Sequence, residues 1–179
     1  MNMKSKVLTT ALFAAIGMAS VSVQADPSDK VILKGIITDT TCNVEINGGN
    51  SNLFVGGFRV SDFTTAGANT QVGSTPMDVE IKDCTAVENG HLVVSGTTSN
   101  KNPAQTLFVD QATNDIGFMI KDAAGAIQMQ DGNLTQVPLT TVVTPGSVQY
   151  SFQAGMGTAV LPAVTGSYSA PVHVTFYIP

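Results

Sequence analysis

Cys42 and Cys84 are the residues of this sequence whose type points most directly to covalent chemistry. They are its two cysteines, so one intramolecular disulfide is possible, and an oxidising compartment would favour it. The bridge would close a loop of about 43 residues and would stabilise the fold by roughly 4 kcal/mol through the entropy of the unfolded chain. Metal binding or redox chemistry is the alternative, which the long separation and the lack of a C-x-x-C motif make weaker.

The other side chains that could do chemistry form no catalytic or metal-binding pattern. His91 and His173 are far apart and have no cysteine or paired acid at ligand spacing. Asp78, Glu80 and Asp83 alternate with apolar residues, which indicates a solvated strand face rather than a calcium loop. The sequence contains no G-x-S-x-G, H-E-x-x-H or phosphate-binding glycine motif. We therefore expect no enzymatic activity, no cofactor and no metal.

The first 25 residues have the pattern of a secretory signal peptide. Lys4 and Lys6 precede an uncharged, mostly apolar run at 7–19, and small residues precede a predicted cleavage between Ala25 and Asp26. The apolar run is too short and too interrupted by polar residues for a spanning helix. An uncleaved anchor is the alternative. Cleavage implies export through an oxidising compartment, which agrees with a disulfide.

The mature chain, residues 26–179, has 154 residues and the length of one domain. It carries 6 basic and 13 acidic residues, a net charge of −7, because the signal segment removes two lysines. This acidity argues against nucleic acid and anionic membranes as partners. The composition is rich in Gly, Thr, Ser, Asn and Val, lacks Trp and shows no strong helical periodicity, which predicts an all-β fold.

Short alternating segments separated by turn signals predict a β-sandwich or β-barrel. Predicted turns fall at 47–50, 89–90, 122–125 and 131–133, and Gly155, Gly157 and Gly166 surround a predicted loop. Residues 61–74 are assigned to a loop or a short helical turn. Strands are predicted at 36–46, 53–60, 77–82, 91–96, 106–110, 116–121, 127–130, 147–155 and 171–178.

The two ends of the mature chain are both strand-like. In the arm at 26–35, Val31 and Leu33 share one face, whereas Lys30, Ile32 and Lys34 share the other. The arm would become a free N-terminal strand after cleavage, and it could pair with another copy or pack as an edge strand of its own domain.

The last predicted strand has no turn or local partner after it. Its apolar face carries Val172, Val174, Phe176 and Ile178, and its other face carries His173, Thr175 and Tyr177. A free strand at one end and an unpaired strand at the other indicate strand exchange between copies.

Four stretches, taken in order, resemble a pilin of the chaperone–usher fimbriae, of the type 1-like major structural kind. They are Val31-Ile32-Leu33-Lys34-Gly35 through Cys42-Asn43-Val44; Val79-Glu80-Ile81-Lys82-Asp83-Cys84; Ile116-Gly117-Phe118-Met119-Ile120-Lys121-Asp122 with Gly125 and Asp131-Gly132; and Tyr150-Ser151-Phe152-Gln153-Ala154 with the terminal strand. The resemblance spans the whole mature chain. It divides the chain into a signal peptide at 1–25, a donor-strand arm at 26–35 and a pilin domain at 36–179.

The resemblance implies an incomplete immunoglobulin-like sandwich that lacks its last strand. A strand of a periplasmic chaperone fills the groove first. At the outer-membrane usher, the arm of the next subunit then replaces the chaperone strand. Other copies are thus the main partners, a tip adhesin and a host receptor are further candidates, and the destination is an extracellular fimbria. The arm departs from the family by carrying Asp29 where a glycine is usual.

The resemblance also implies roles for individual residues. Cys42 and Cys84 form the disulfide, and Val31 and Leu33 are the buried plugs of the donor arm. Tyr177 belongs to the C-terminal strand, third from the end where the family usually has a penultimate tyrosine. The acceptor wall is formed by Val172, Val174, Phe176 and Ile178.

Two other functions stay open. The chain could be a fimbrial subunit that binds a host glycan or protein itself, although most of its few aromatic residues are assigned to the core. It could also be a monomeric periplasmic β-domain whose arm folds back on its own sheet. If residues 26–34 are needed for assembly but not for folding of the chaperone-held subunit, the protein is a polymer subunit and not a monomeric β-domain.

Overall fold

The computed structural model describes residues 42–128, 137–141 and 146–178. The signal segment, the arm with Val31 and Leu33, and the predicted turn at 131–133 lie outside these residues. A short 3-10 turn at Asn47–Gly49 and helix α1 at Val60–Ala66 are the helical elements of the described part. The described strands are β1 (Asn43–Ile46), β2 (Val72–Lys82), β3 (Glu88–Gly96), β4 (Ile116–Lys121), β5 (Val137–Thr141), β6 (Ser147–Thr158) and β7 (Val172–Tyr177).

The strands form two antiparallel sheets. One sheet has four strands in the order β1-β2-β6-β4, and the other has three in the order β5-β3-β7. Within the described residues, β1 and β7 are therefore edge strands of different sheets. The predicted all-β class is confirmed.

The core lies between the sheets because each sheet turns an apolar face inward. In β2 the alternation is direct: Met77, Val79 and Ile81 are buried, whereas Asp78 is exposed. Buried side chains of both sheets form one cluster, and its members are Met77, Val79, Ile81, Cys84, Leu92, Val94, Phe108, Ile120, Val137, Phe152 and Ala154.

A disulfide joins Cys42, just before β1, to Cys84, just after β2. It lies beside the first register pair of these strands, Asn43 opposite Lys82. The cross-link therefore holds the edge strand β1 to the body of its sheet.

The predicted break at Asn89-Gly90 is wrong, since both residues lie inside β3. Gly90 is buried, and a Cβ placed on it would lie 2.4 Å from the Tyr177 carbonyl oxygen and 2.7 Å from Cζ of Phe176. The glycine therefore lets β7 approach β3 closely, and it does not make a turn.

The predicted loop begins later than expected, because Gly157 as well as Gly155 lies in β6, which ends at Thr158. A Cβ on Gly155 would lie 2.4 Å from Cγ of Gln71, and one on Gly157 would lie 2.7 Å from Sδ of Met119. These glycines make room for neighbouring side chains on a strand that is longer than predicted. Gly166 does lie in the loop before β7.

Two predicted strands are not strands in the structure. Residues 50–59 are irregular up to the start of α1, because they have no neighbouring strand among the described residues. Residues 106–109 are buried and Asp110 is exposed, and Phe108 pairs through single bridges with Thr98 and Phe118 instead of a ladder. Of the strand predicted at 127–130, Ile127 makes one bridge to Lys121, and 129–130 lie outside the described residues.

The local turns follow their sequence signals. Asp122 begins the hairpin turn after β4, where the Gly125 amide donates to the Asp122 carbonyl at 3.0 Å and the Ala126 amide donates to its Oδ1 at 2.8 Å. Helix α1 begins where the Arg59 amide donates to Oδ2 of Asp62 at 2.8 Å. Within the ranges that the structure describes, no helix is long and apolar enough to cross a membrane.

Candidate functional site: an apolar groove

An open apolar groove lies between the edges of the two sheets. It consists of two adjoining cavities of about 460 and about 510 Å³ that share Leu53, Val55, Phe118 and Tyr168 as lining residues. We refer to the two together as the groove.

Each side of the groove comes from a different part of the chain. The first side is formed by β1 and the irregular segment up to α1, with Val44, Ile46, Leu53, Val55, Phe58 and Val60. The second side is formed by the segment that leads into β7, with Ala163, Val164, Tyr168, Ala170 and Val172. The floor is formed by Phe63, Met77, Ile116, Phe118, Ile120, Ala154 and Met156.

The apolar side chains along the two sides are covered incompletely by the described residues. Leu53, Val55, Ala170 and Val172 pack on the main core but are only half-buried. Phe58 and Tyr168 pack in the same way on a second cluster around Phe63. Covering half-buried apolar surface of this kind with an apolar partner is favourable, because it removes the surface from water.

Most aromatic residues belong to the core clusters or pack on them, as predicted, but few are fully buried. Phe63, Phe108 and Phe152 are buried, but Phe54 is 84% exposed. The half-buried aromatic residues are Phe58, Phe118, Tyr150, Tyr168, Phe176 and Tyr177. Four phenylalanines and one tyrosine line the groove: Phe54, Phe58, Phe63, Phe118 and Tyr168.

The backbone on both sides of the groove has few hydrogen bonds from the described chain. Strand β7 pairs there on one side, with β3. On the opposite side, the Val55 carbonyl accepts a hydrogen bond of 2.8 Å from Oγ1 of Thr75, which ties the irregular segment to β2.

The structure places the predicted residues of the C-terminal strand as follows. Val172 lines the groove, and Val174 and Phe176 continue along the same face of β7, half-buried against the core. Ile178 is half-buried just beyond the strand, and Tyr177 lies opposite His91 in the β3–β7 ladder. The alternation predicted for this strand is therefore present, with Val172 nearest to the groove.

Charged side chains are sparse at the groove. Arg59 lines one cavity, and Glu45 lines the other. Glu45 forms an ion pair with Lys82. Within the ion pair, the Lys82 ammonium donates a hydrogen bond to Oε2 of Glu45, and this bond raises the pKa of Lys82 above its ordinary value. The negative charges of Glu45, Glu80 and Asp83 raise it further. Lys82 is therefore charged at neutral pH, and its contribution to folding is lost as the pH rises through the raised pKa.

The residues considered for metal chemistry are not brought together. His91 and His173 lie on the outer face of the three-stranded sheet, opposite Tyr177 and Ser95. Asp78, on β2, and Asp83, just after it, are exposed. In the part of the chain that the structure describes, no group of three or more His, Cys, Asp or Glu side chains could hold a metal ion.

Comparison with known proteins decides the family. A family model described as fimbrial protein matches residues 31–178, which include every described residue. The chain belongs to the fimbrial protein family. The resemblance noted from the four sequence stretches is confirmed.

Relatives of this fimbrial protein agree with that assignment. The S-fimbrial protein subunit SfaG of Escherichia coli O6:K15:H31 (strain 536 / UPEC) is 27% identical over 148 residues, covering 80% of this chain and 79% of its own. The P pilus rod subunit PapA has a TM-score of 0.55 at 16% identity, with 76% of this chain and 99% of its own covered. A chaperone–usher pilus structure concerned with rod uncoiling has a TM-score of 0.55 at 16% identity, with coverage of 86% and 97%.

These likenesses confirm the pilin fold, an immunoglobulin-like sandwich, for this fimbrial protein. The protein is a structural subunit and not an enzyme. Sequence reasoning missed one side of the groove, the irregular segment with Leu53, Val55 and Phe58. The alternation of Leu53 and Val55 is a usable signal, but by itself it fits an ordinary strand of the domain equally well.

Proposed function

We propose that this protein is a major structural subunit of a chaperone–usher fimbria and that it polymerises by donor-strand exchange. The arm at 26–35 of one copy fills the groove of the next, with Val31 and Leu33 as its buried side chains. The observation that carries the proposal is the apolar groove between the edges of the two sheets.

An extended strand is the occupant that best suits this groove. The groove reaches the edge strand β7 at Val172, and the outer edge of β7 pairs with no described strand. A strand laid along such an edge gains backbone hydrogen bonds, and its alternate side chains enter the apolar space. Ten extended residues reach about 33 Å. The six residues of β7 span about 20 Å, so the arm is long enough to cover the strand and continue along the segment before it.

The chemistry of the arm matches that of the groove. Val31 and Leu33 share the apolar face of the arm, and burying each contributes about 1.5–3 kcal/mol. Lys30, Ile32 and Lys34 share the other face, which would point to solvent. The groove lining contains few charges that would lose their hydration when the arm is bound.

The open groove also explains a need for a chaperone. An unpaired edge beside half-buried apolar side chains favours aggregation before assembly. A periplasmic chaperone that lends a strand would cover the groove until an outer-membrane usher exchanges it for an arm. The finished subunit would then lie in an extracellular fimbria, as the names of its relatives suggest.

The experiment that tests the proposal is electrophoresis of surface-derived protein without reducing agent, with and without boiling. We expect a ladder that heat collapses to monomer and that is lost when residues 26–34 are deleted. The deleted protein should still be recovered folded with its chaperone. A single monomer band from both proteins would contradict the polymer and leave a self-contained secreted β-domain.

A receptor-binding role is the second candidate. It is favoured by Phe54 and Val164, which are 84% and 70% exposed beside the groove. Phenylalanine is enriched in the cores of protein interfaces. Phe54 also lines the groove, so the unboiled ladder of Phe54→Ala must be measured first. An intact ladder with lost attachment to host cells would support this role. Unchanged attachment would leave the protein as a structural subunit alone.

A further inference from the structure

Two Asn-Gly pairs occur in the sequence, Asn47-Gly48 and Asn89-Gly90. The backbone nitrogen that follows an asparagine can attack the side-chain amide, and glycine leaves this approach open because it has no Cβ. The attack requires freedom of the local backbone. The fold around each pair therefore decides where the reaction occurs.

Asn47-Gly48 lies in an open turn. Gly48 and Gly49 are exposed, and a Cβ placed on either would have no atom within 4 Å. The bond that closes the turn, from the Asn50 amide to the Asn47 carbonyl, is 3.3 Å long. The Asp78 amide donates to Oδ1 of Asn47 at 2.9 Å, which polarises the carbonyl group that would be attacked.

Asn89-Gly90 is held in the opposite way. Both residues lie inside β3, opposite Thr140 and Leu139 of β5. Gly90 is buried, and its missing Cβ would lie 2.4 Å from the Tyr177 carbonyl oxygen. The pair could react only after the three-stranded sheet opened, which costs much of the free energy of unfolding.

We propose that Asn47 is a site of spontaneous deamidation and that the fold protects Asn89. The Gly48 nitrogen, on losing its proton to solvent, forms a bond to Cγ of Asn47. The bond from Cγ to Nδ2 breaks, and Nδ2 leaves with a proton as ammonia. Water then opens the succinimide ring at one of its two carbonyl groups and leaves aspartate or isoaspartate at position 47.

The product changes one border of the groove. Asn47 lines the groove, and on its other side it lies in a shallow depression with Glu45, Asp78 and Glu80. Deamidation adds a negative charge there. Isoaspartate also lengthens the backbone of the turn that connects β1 to the irregular segment with Leu53 and Val55.

The test is ageing of the purified, chaperone-free protein at mildly alkaline pH, followed by reduction, trypsin digestion and mass spectrometry. Cleavage after Lys34, Arg59, Lys82 and Lys101 separates the peptides 35–59 and 83–101. We expect the mass change from amide to carboxyl to grow in peptide 35–59, localised to position 47 by fragmentation. It should be at least about tenfold faster than at Asn89, since the turn needs no opening of the sheet.

The same ageing in denaturant is the control, because both pairs precede glycine and should then react at similar rates. An Asn47→Gln variant should lose the fast phase in peptide 35–59. The proposal is overturned when the native protein deamidates at Asn89 as fast as at Asn47. It is equally overturned when Asn47 is inert in the native protein but reacts in denaturant. Neither result bears on strand exchange, which the electrophoresis tests separately.

Discussion

The Thr75 hydroxyl donates a hydrogen bond of 2.8 Å to the Val55 carbonyl and so fastens one side of the groove to strand β2. The bond replaces the ladder that the irregular segment does not make with a described strand. Residues far apart in sequence therefore hold Leu53 and Val55 in position to line the groove.

Removal of this bond should loosen the groove. We expect Thr75→Val to lower the free energy of unfolding by about 0.5–1.5 kcal/mol, because the Val55 carbonyl loses its donor. Denaturant titration of the chaperone-free protein measures it. Thr70→Val is the control, since the Thr70 hydroxyl is exposed and lies 3.4 Å from the Ala68 carbonyl in its own loop. Equal effects of the two changes would show that the bond does not support the groove.

A charge on the apolar face of the arm should block fibre growth. Leu33→Asp would bury a carboxylate without a partner, at a cost of several kcal/mol. The variant should be exported and held by the chaperone but should give no heat-labile ladder. Ile32→Asp is the matched control, because it puts the same group one residue away on the opposite face. Normal fibres from Leu33→Asp would contradict donor-strand exchange.

A charge on the groove itself should act from the acceptor side. Val172 lines the groove and is half-buried, whereas its neighbour His173 is exposed. We expect Val172→Asp to reduce the unboiled ladder strongly and His173→Asp to leave it intact. The amount of chaperone-bound subunit distinguishes a blocked groove from failed folding. Should both variants polymerise equally, this part of the groove would not be the binding surface.

An added methyl group at Gly90 should push β7 away from β3. A Cβ there would lie 2.4 Å from the Tyr177 carbonyl oxygen, so Gly90→Ala should destabilise the fold by about 1–3 kcal/mol through overpacking. Gly57→Ala is the control, since its Cβ would have no atom within 4 Å. Thermal unfolding compares them, and an unchanged midpoint for Gly90→Ala would show that β7 moves without cost.

Loss of the disulfide should reduce the amount of subunit. Cys42→Ser removes a cross-link between residues separated by 42 positions, worth about 4 kcal/mol on the chain-entropy estimate. We expect lower periplasmic levels on an immunoblot and a lower denaturation midpoint. Cys42→Ser with Cys84→Ser leaves no free thiol and should behave alike. Wild-type levels from both variants would make the cross-link dispensable.

Several features of the protein follow from the sequence by itself. Strict alternation from Met77 to Lys82 predicted the C-terminal half of β2, and the alternation from Val172 onward predicted β7. Both predictions hold because a side-chain period of two suits one buried and one solvated face, whatever the neighbour. The turn at Asp122 was predictable because its glycine-containing signal is local. The disulfide was predictable because two cysteines allow one intramolecular pairing.

Tertiary structure decided what depends on a neighbouring element. Gly90 and Gly157 have the sequence signal of turns or loops, yet they lie in strands, where another strand or side chain occupies the space of a Cβ. The segment with Leu53 and Val55 has the sequence pattern of a strand, but among the described residues no strand pairs with it. A strand in a sheet requires two chain segments that are joined by hydrogen bonds. The sequence pattern of one segment therefore does not identify its partner. The groove arises in the same way, from two sheet edges that meet only when the chain is folded.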